Sequence, residues 1–157
     1  MKWMILASTL AVVLLFVVLA IFVPSQSKQD AVKRAALTTR ELAMSCTTDM
    51  ATTFHIHPTL KISVDGVDEV IPAQVGIKDG CMSPLHTHDT SGKIHVESPE
   101  ARDFTLGDFF AVWGKTLARD GFVLTVLVDG AVADYVTGPD EQVLKDDQQI
   151  VLQYIHD

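Results

Sequence analysis

Apolar and polar positions divide the chain near residue 24. Residues 3–23 form one uncharged run, interrupted only by Ser8 and Thr9. A run of that length crosses the hydrocarbon core of a bilayer as a helix. Residues 28–50 turn polar and alanine-rich, with Ala31, Val32, Ala35, Ala36, Leu42 and Met44 at loosely helical spacing, which predicts a juxtamembrane helix or stalk. From residue 51 to residue 157 the pattern changes to short alternating stretches, read as one globular domain.

Within that domain Leu60, Ile62 and Val64 alternate with Lys61 and Ser63, and Asp65-Gly66 follows as a type I′ hairpin signal. The return strand is expected near residues 67–71, stopped by Pro72. Residues 75–77 form a short apolar piece, and residues 93–97 read as another strand. Its Ile94 and Val96 point to the core, which turns His95 and Glu97 together to the other side. Thr105 with Asp108 three residues later marks a helix start. Leu106, Phe109, Phe110, Trp113 and Leu117 share one face of that helix, read as core and not as a cofactor platform, and Asp120-Gly121 is expected to end it. Residues 122–128, the turn Asp129-Gly130 and residues 132–136 predict a second hairpin, and residues 149–155 a last strand.

Hairpin, strand, helix, hairpin, strand argues for an α+β domain. The expected architecture is a mostly antiparallel sheet with one covering helix, β-grasp-like, after an N-terminal transmembrane helix.

Charge and cysteine content narrow the function classes. A net charge of −8 with no cluster of Lys or Arg excludes nucleic acid as a partner. The segment covering residues 1–27 is read as a signal-anchor; Ser25-Gln26-Ser27 leaves a cleaved signal peptide open. Lys2 on one side of the run and Lys28, Lys33 and Arg34 on the other leave the orientation undecided by charge. The domain is placed outside the cytoplasm because almost nothing precedes the hydrophobic segment, and it is secreted if the signal is cut. Cys46 and Cys81 are the two cysteines of the chain. They are read either as a disulfide, worth about 3–4 kcal/mol by loop entropy, or as two buried thiols.

The chemistry concentrates in the histidines. His86, His88 and His95 lie within ten positions, and His55 and His57 repeat the H-x-H spacing upstream. If the strand of Leu60, Ile62 and Val64 extends back through Pro58, His55, His57 and Thr59 share the outward parity of Lys61. Imidazoles at i and i+2 on an extended strand point the same way, about 6–7 Å apart at their bases, and can converge on one ion. The five are candidate ligands of a divalent transition metal. Asp89 and Glu97 are candidate carboxylates that orient the rings, and His156 is expected to be uninvolved. Nitrogen donors with carboxylates nearby suit copper(II) or zinc; Met82 leaves copper(I) open. The alternative is a set of solvated histidines on an exposed strand face.

Five segments taken together resemble a family of small exported or membrane-anchored bacterial and archaeal proteins that carries no established activity. They are His55-Ile56-His57; Ile71-Pro72-Ala73-Gln74-Val75-Gly76-Ile77; Leu85-His86-Thr87-His88-Asp89; Ile94-His95-Val96-Glu97-Ser98-Pro99; and Phe104-Thr105-Leu106-Gly107-Asp108-Phe109-Phe110-Ala111-Val112-Trp113-Gly114. Members often carry a third histidine where this chain has Thr59. The resemblance implies an exported, histidine-rich domain.

Three functions are carried forward. The first is a membrane-anchored metal-binding protein, delivering its ion to a membrane protein partner. The second is a metalloenzyme with Glu97 or Asp89 as general base, ranked lower because no nucleophile elbow or phosphate loop is present. The third is an interaction module whose histidines only shape a surface.

Overall fold

The computed structural model describes residues 25–48, 52–135 and 138–157. The hydrophobic run at residues 3–23 lies outside them; among the described residues no helix is long and apolar enough to cross a membrane. The chain divides into two compact units, Met1–Leu37 and Thr38–Asp157. In the first, the expected stalk contains the helix α1 (Gln26–Ala35), whose last turn carries Lys33 and Arg34, a favourable place for positive charge.

The second unit begins ahead of the expected boundary at residue 51, for identifiable physical reasons. Helix α2 (Thr39–Met44) opens with a reciprocal capping box between Thr38 and Glu41 and buries Leu42 and Ala43. Arg40 reaches Asp108 at 2.9 Å and donates to the Gly107 carbonyl at 2.6 Å. Cys46 is bonded to Cys81, with Cα atoms 5.4 Å apart. Burial, a charge pair and a covalent link all tie a segment of stalk-like composition to the domain.

In chain order the strands are β1 (Phe54–Ile56), β2 (Thr59–Val64), β3 (Val67–Glu69), β4 (Ile77–Lys78), β5 (Cys81–Met82), β6 (Leu85–His86), β7 (His95–Ser98), β8 (Phe122–Val128), β9 (Ala131–Val132) and β10 (Gln149–His156). Helix α3 (Leu106–Trp113) lies between β7 and β8, and the domain is α+β. The main sheet has the order β3-β2-β10-β8-β9. Its neighbours are antiparallel except for β10, which runs parallel to β2. The last strand thus joins the two hairpins by lying between them. Both hairpins turn on Asp-Gly pairs with positive φ at each residue, 49° and 82° at Asp65-Gly66 and 51° and 83° at Asp129-Gly130, as a type I′ turn requires.

Period-two alternation builds the core face of this sheet. Ile150 pairs with Leu60 and Val128, Leu152 with Ile62 and Val126, and Tyr154 with Val64 and Leu124. Leu60, Ile62, Ile150, Leu152 and Tyr154 are buried almost completely, as are Leu106, Phe109 and Phe110 of α3. The capping box of α3 forms as expected, Asp108 N–H donating to Thr105 Oγ1 and Thr105 N–H to the Asp108 carboxylate. Its end does not. The helix stops at Gly114, in the left-handed conformation at φ 75°, because glycine adopts that conformation without steric cost. Leu117 is buried from the connecting segment, where its carbonyl accepts the Tyr154 hydroxyl at 2.7 Å.

A second sheet, of three strands in the order β1-β7-β6, carries the histidines. Here the sequence reading is corrected. Residues 55–57 do not extend β2 through Pro58; β1 ends at Ile56 and belongs to this other sheet. Proline has no N–H for a ladder, so the chain changes sheets there. The Pro58 carbonyl instead accepts the Ile94 N–H at 2.9 Å.

Candidate metal centre

Register brings three of the five rings together, and the residues that follow the two flanking strands add the others. His86 pairs with His95 across β6 and β7, and His55 pairs with Glu97 across β1 and β7. His95 and Glu97 are two apart on the central strand, so all four side chains stand on one face of the small sheet. Ile94, Val96 and Leu85, of opposite parity, are buried. His57 and His88 follow their partners by two residues and join the same cluster. Ring centroids lie 4.4 Å apart for His55 and His57, 4.8 Å for His57 and His95, 4.6 Å for His88 and His95, and 4.8 Å for His86 and His88.

Two groups of three could hold a metal ion, His55/His57/His95 and His86/His88/His95, with the donor atoms of each group within 4.8 Å of one another. A tetrahedral ion with metal–nitrogen bonds of 2.0–2.1 Å sets its nitrogens about 3.3 Å apart. The Nε2 atoms of His86 and His88 already stand at 3.2 Å. The other donor atoms lie within 4.8 Å, so side-chain movements of at most about 1.5 Å close the rest.

The two groups differ in environment. His86 is fully buried, and its Nδ1–H donates to the Ser83 carbonyl at 3.0 Å. A carbonyl can only accept, so the tautomer is set and Nε2 keeps its lone pair for the cluster. Each group also has one exposed ring, His55 in the outer and His88 in the inner, while His57 is half-buried. Glu97 stands among the outer rings, its Oε1 3.0 Å from His55 Nε2 and 3.7 Å from His95 Nδ1. Burial pushes the His95 ring down to about 4, with the neighbouring His88, His57 and His86 adding to the effect and Glu97 opposing it. Burial likewise holds His86 below the ordinary histidine value, outweighing the Ser83 carbonyl and Glu97. Both rings are neutral at pH 7, the form in which imidazole binds a metal.

Asp89 takes a different place from Glu97. Its carboxylate accepts the Ser91 N–H at 2.8 Å in a tight turn, and the hydrogen bonds from the Ser91 hydroxyl and N–H, with Lys93 and His95 assisting, hold it below the usual carboxylate value. His156 is held at the end of β10, away from the cluster's ring contacts: its backbone N–H and its ring both meet Asp65, and the ring lies 4.1 Å from that of Phe122. The cysteines close a disulfide beside the site, Cys81 lying two residues before Ser83.

Three positioning residues escaped the sequence reading. Thr87, between the two histidines of the inner pair, is fully buried. Its hydroxyl donates to the Pro72 carbonyl at 2.8 Å and accepts the Val75 N–H at 3.1 Å. Alternation alone marks it as the inward residue of His-Thr-His. Gly76, at φ 72°, lies where an added Cβ would stand 2.3 Å from the Leu85 carbonyl oxygen, so only glycine lets that loop seat β6. Asp146 accepts the His57 N–H at 2.8 Å from 89 positions away, a contact that no local pattern signals.

Compared with models of known protein families, with curated proteins and with solved structures, the chain matches none.

Proposed function

We propose that this chain is a membrane-anchored extracytoplasmic protein that binds a transition metal, copper or zinc, and delivers it to a membrane protein partner. The observation that carries the reading is the convergence of all five clustered histidines on one face of a small sheet, as two groups with ligand spacing. Neutral rings, a set tautomer at His86 and a carboxylate beside His55 and His95 are what a nitrogen-rich cation site requires. Both cysteines are committed to the disulfide, so neither offers a thiolate, and the nitrogen and oxygen donors gathered in the cluster suit zinc or copper(II). The exposed rings of His55 and His88 supply a route by which an ion enters and leaves, as a carrier needs. The anchor rests on the uncharged run at residues 3–23. The order of the main sheet, with its parallel central pair and α3 between the hairpins, fits a β-grasp scaffold.

Metal analysis of the purified chain tests the reading, alongside a variant with His86→Ala and His88→Ala. The parent is expected to retain at least one zinc or copper ion through gel filtration and the variant distinctly less. Equal trace occupancy in both would end the metal reading.

A further inference from the structure

We propose that the histidine cluster holds two ions rather than one, and that the His95 ring bridges them through its two nitrogens. The proposal deepens the metal-binding reading above and depends on it.

The five rings do not form a single shell. They form two triads that have only His95 in common. The backbone dictates this arrangement: β7 is the central strand of the small sheet, with β6 and its His86 on one side and β1 and its His55 on the other. The ring of His95 therefore stands between the two pairs, 5.4 Å from that of His86 and 6.1 Å from that of His55. A single four-coordinate ion leaves at least one of the five imidazoles unused.

The donor atoms also divide in two. His86 cannot bridge, because its Nδ1–H is committed to the Ser83 carbonyl; it offers Nε2 alone, beside Nε2 of His88. Nδ1 of His95 is turned toward the outer group, 3.7 Å from the Glu97 oxygen that also meets His55. That nitrogen is buried and has no hydrogen-bond partner, an arrangement that costs free energy unless something else satisfies it. An ion held by His55, His57, Nδ1 of His95 and Glu97 has four donors. An ion held by His86, His88 and Nε2 of His95 has three nitrogens and one position left for water or a partner's ligand. The outer site is closed by a carboxylate and the inner one stays open.

The balance of the bridging step is simple. A neutral imidazole has one lone-pair nitrogen and one N–H. The first ion binds the lone pair; when the second binds the other nitrogen, the N–H bond breaks, the proton goes to solvent and a metal–nitrogen bond replaces it. No oxidation state changes. The resulting imidazolate carries one negative charge between two cations about 6 Å apart, a separation set by the ring and two bonds of about 2 Å.

The test is copper(II) loading of the full chain followed by metal counting and electron paramagnetic resonance. Two copper ions per chain are expected, with a low-temperature signal well below that of two isolated ions because the bridge couples them. His55→Ala with His57→Ala, and separately His86→Ala with His88→Ala, should each hold one copper with full signal intensity. Circular dichroism and the urea midpoint of each variant show that it is folded, and parent stoichiometry by native mass spectrometry does not depend on any variant. One ion per chain in the parent overturns the two-ion proposal and leaves the metal-binding reading standing. Two ions with the full uncoupled signal overturn the bridge, and no retained ion overturns both.

Discussion

In the main sheet β10 contributes eight residues and lies between two long neighbours, whereas no strand of the histidine sheet exceeds four residues and β6 has two. The main sheet buries one continuous apolar face, and its ladder and its core support each other. Three strands as short as those of the small sheet are marginal on their own. The small sheet is therefore held from outside. The Pro84 carbonyl accepts the Glu97 N–H at 2.7 Å, the Pro58 carbonyl that of Ile94 and the Gly92 carbonyl that of Leu60; Thr87 ties the inner histidine pair to Pro72 and Val75. Gly92 packs against β2 so closely that an added Cβ would stand 2.2 Å from the Leu60 carbonyl oxygen. The lesson is that the chemistry sits on a frame whose shape is set by its neighbours, so the two sheets can be perturbed separately.

The largest effect is expected in the main sheet. Tyr154→Ala removes a fully buried ring, its hydrogen bond to Leu117 and the surface under the Arg119 guanidinium, which lies 4.1 Å from the ring centroid. A loss of about 3–5 kcal/mol is expected, read as a lower urea midpoint, with metal binding lost only where the chain unfolds.

Next comes the disulfide. Cys46→Ser with Cys81→Ser opens a link across 35 residues and should cost about 3–4 kcal/mol. Amide exchange should rise first in residues 81–88, while β2, β8 and β10 keep their protection until the global transition. Uniform loss of protection across both sheets would contradict the separation drawn above.

Thr87→Val is smaller and sharper. It keeps shape but leaves the Pro72 carbonyl and Val75 N–H short of a partner, at about 1–3 kcal/mol. Metal affinity should fall more steeply than stability, because His86 and His88 flank the altered residue. Isothermal titration of folded protein with zinc checks it.

Acid separates the regions in the metal-free protein. The folded His95 ring titrates at about 4 instead of 6.5, so the unfolded chain binds the proton first. Its contribution is present above pH 6.5 and is lost as pH falls toward 4. Glu69 in the main sheet is lowered from 4.5 chiefly by its hydrogen bond from Arg119, with Lys115 assisting. Its contribution is present above 4.5 and disappears only as pH falls through the lower folded value. The pair is partly exposed, so under about 1 kcal/mol is expected. Urea midpoints across pH should show a histidine-dependent decline below 6.5 that is smaller in His95→Ala, where only the buried His86 ring still contributes to it, and a weaker Glu69-dependent one at lower pH.

The parts of the molecule that were legible in the sequence are those decided locally. Asp65-Gly66 and Asp129-Gly130 announce their turns because only such pairs accept positive φ twice, and Thr105 with Asp108 announces a helix start through hydrogen bonds three residues apart. Alternation placed Ile94 and Val96 inward and His95 outward from them, and the doubled H-x-H spacing marked the ligand candidates. What stayed illegible depends on distant partners. Pro58 could begin β2 or end β1, and the choice falls to the ladder that β1 finds on β7. Gly114 and Gly121 both accept the left-handed conformation, and the burial of Leu117 outside the helix decides between them. The Ser83 carbonyl and Asp146 reach the histidines only after the chain has folded.

The central place of β10 has a consequence for manufacture. Among the described residues it follows every other strand, so each of the five imidazoles is synthesised before the segment that zips the two hairpins together. On the proposed metal-binding reading, a half-finished polypeptide presents the candidate ligands before their scaffold has closed, and ordered loading would follow the docking of β10.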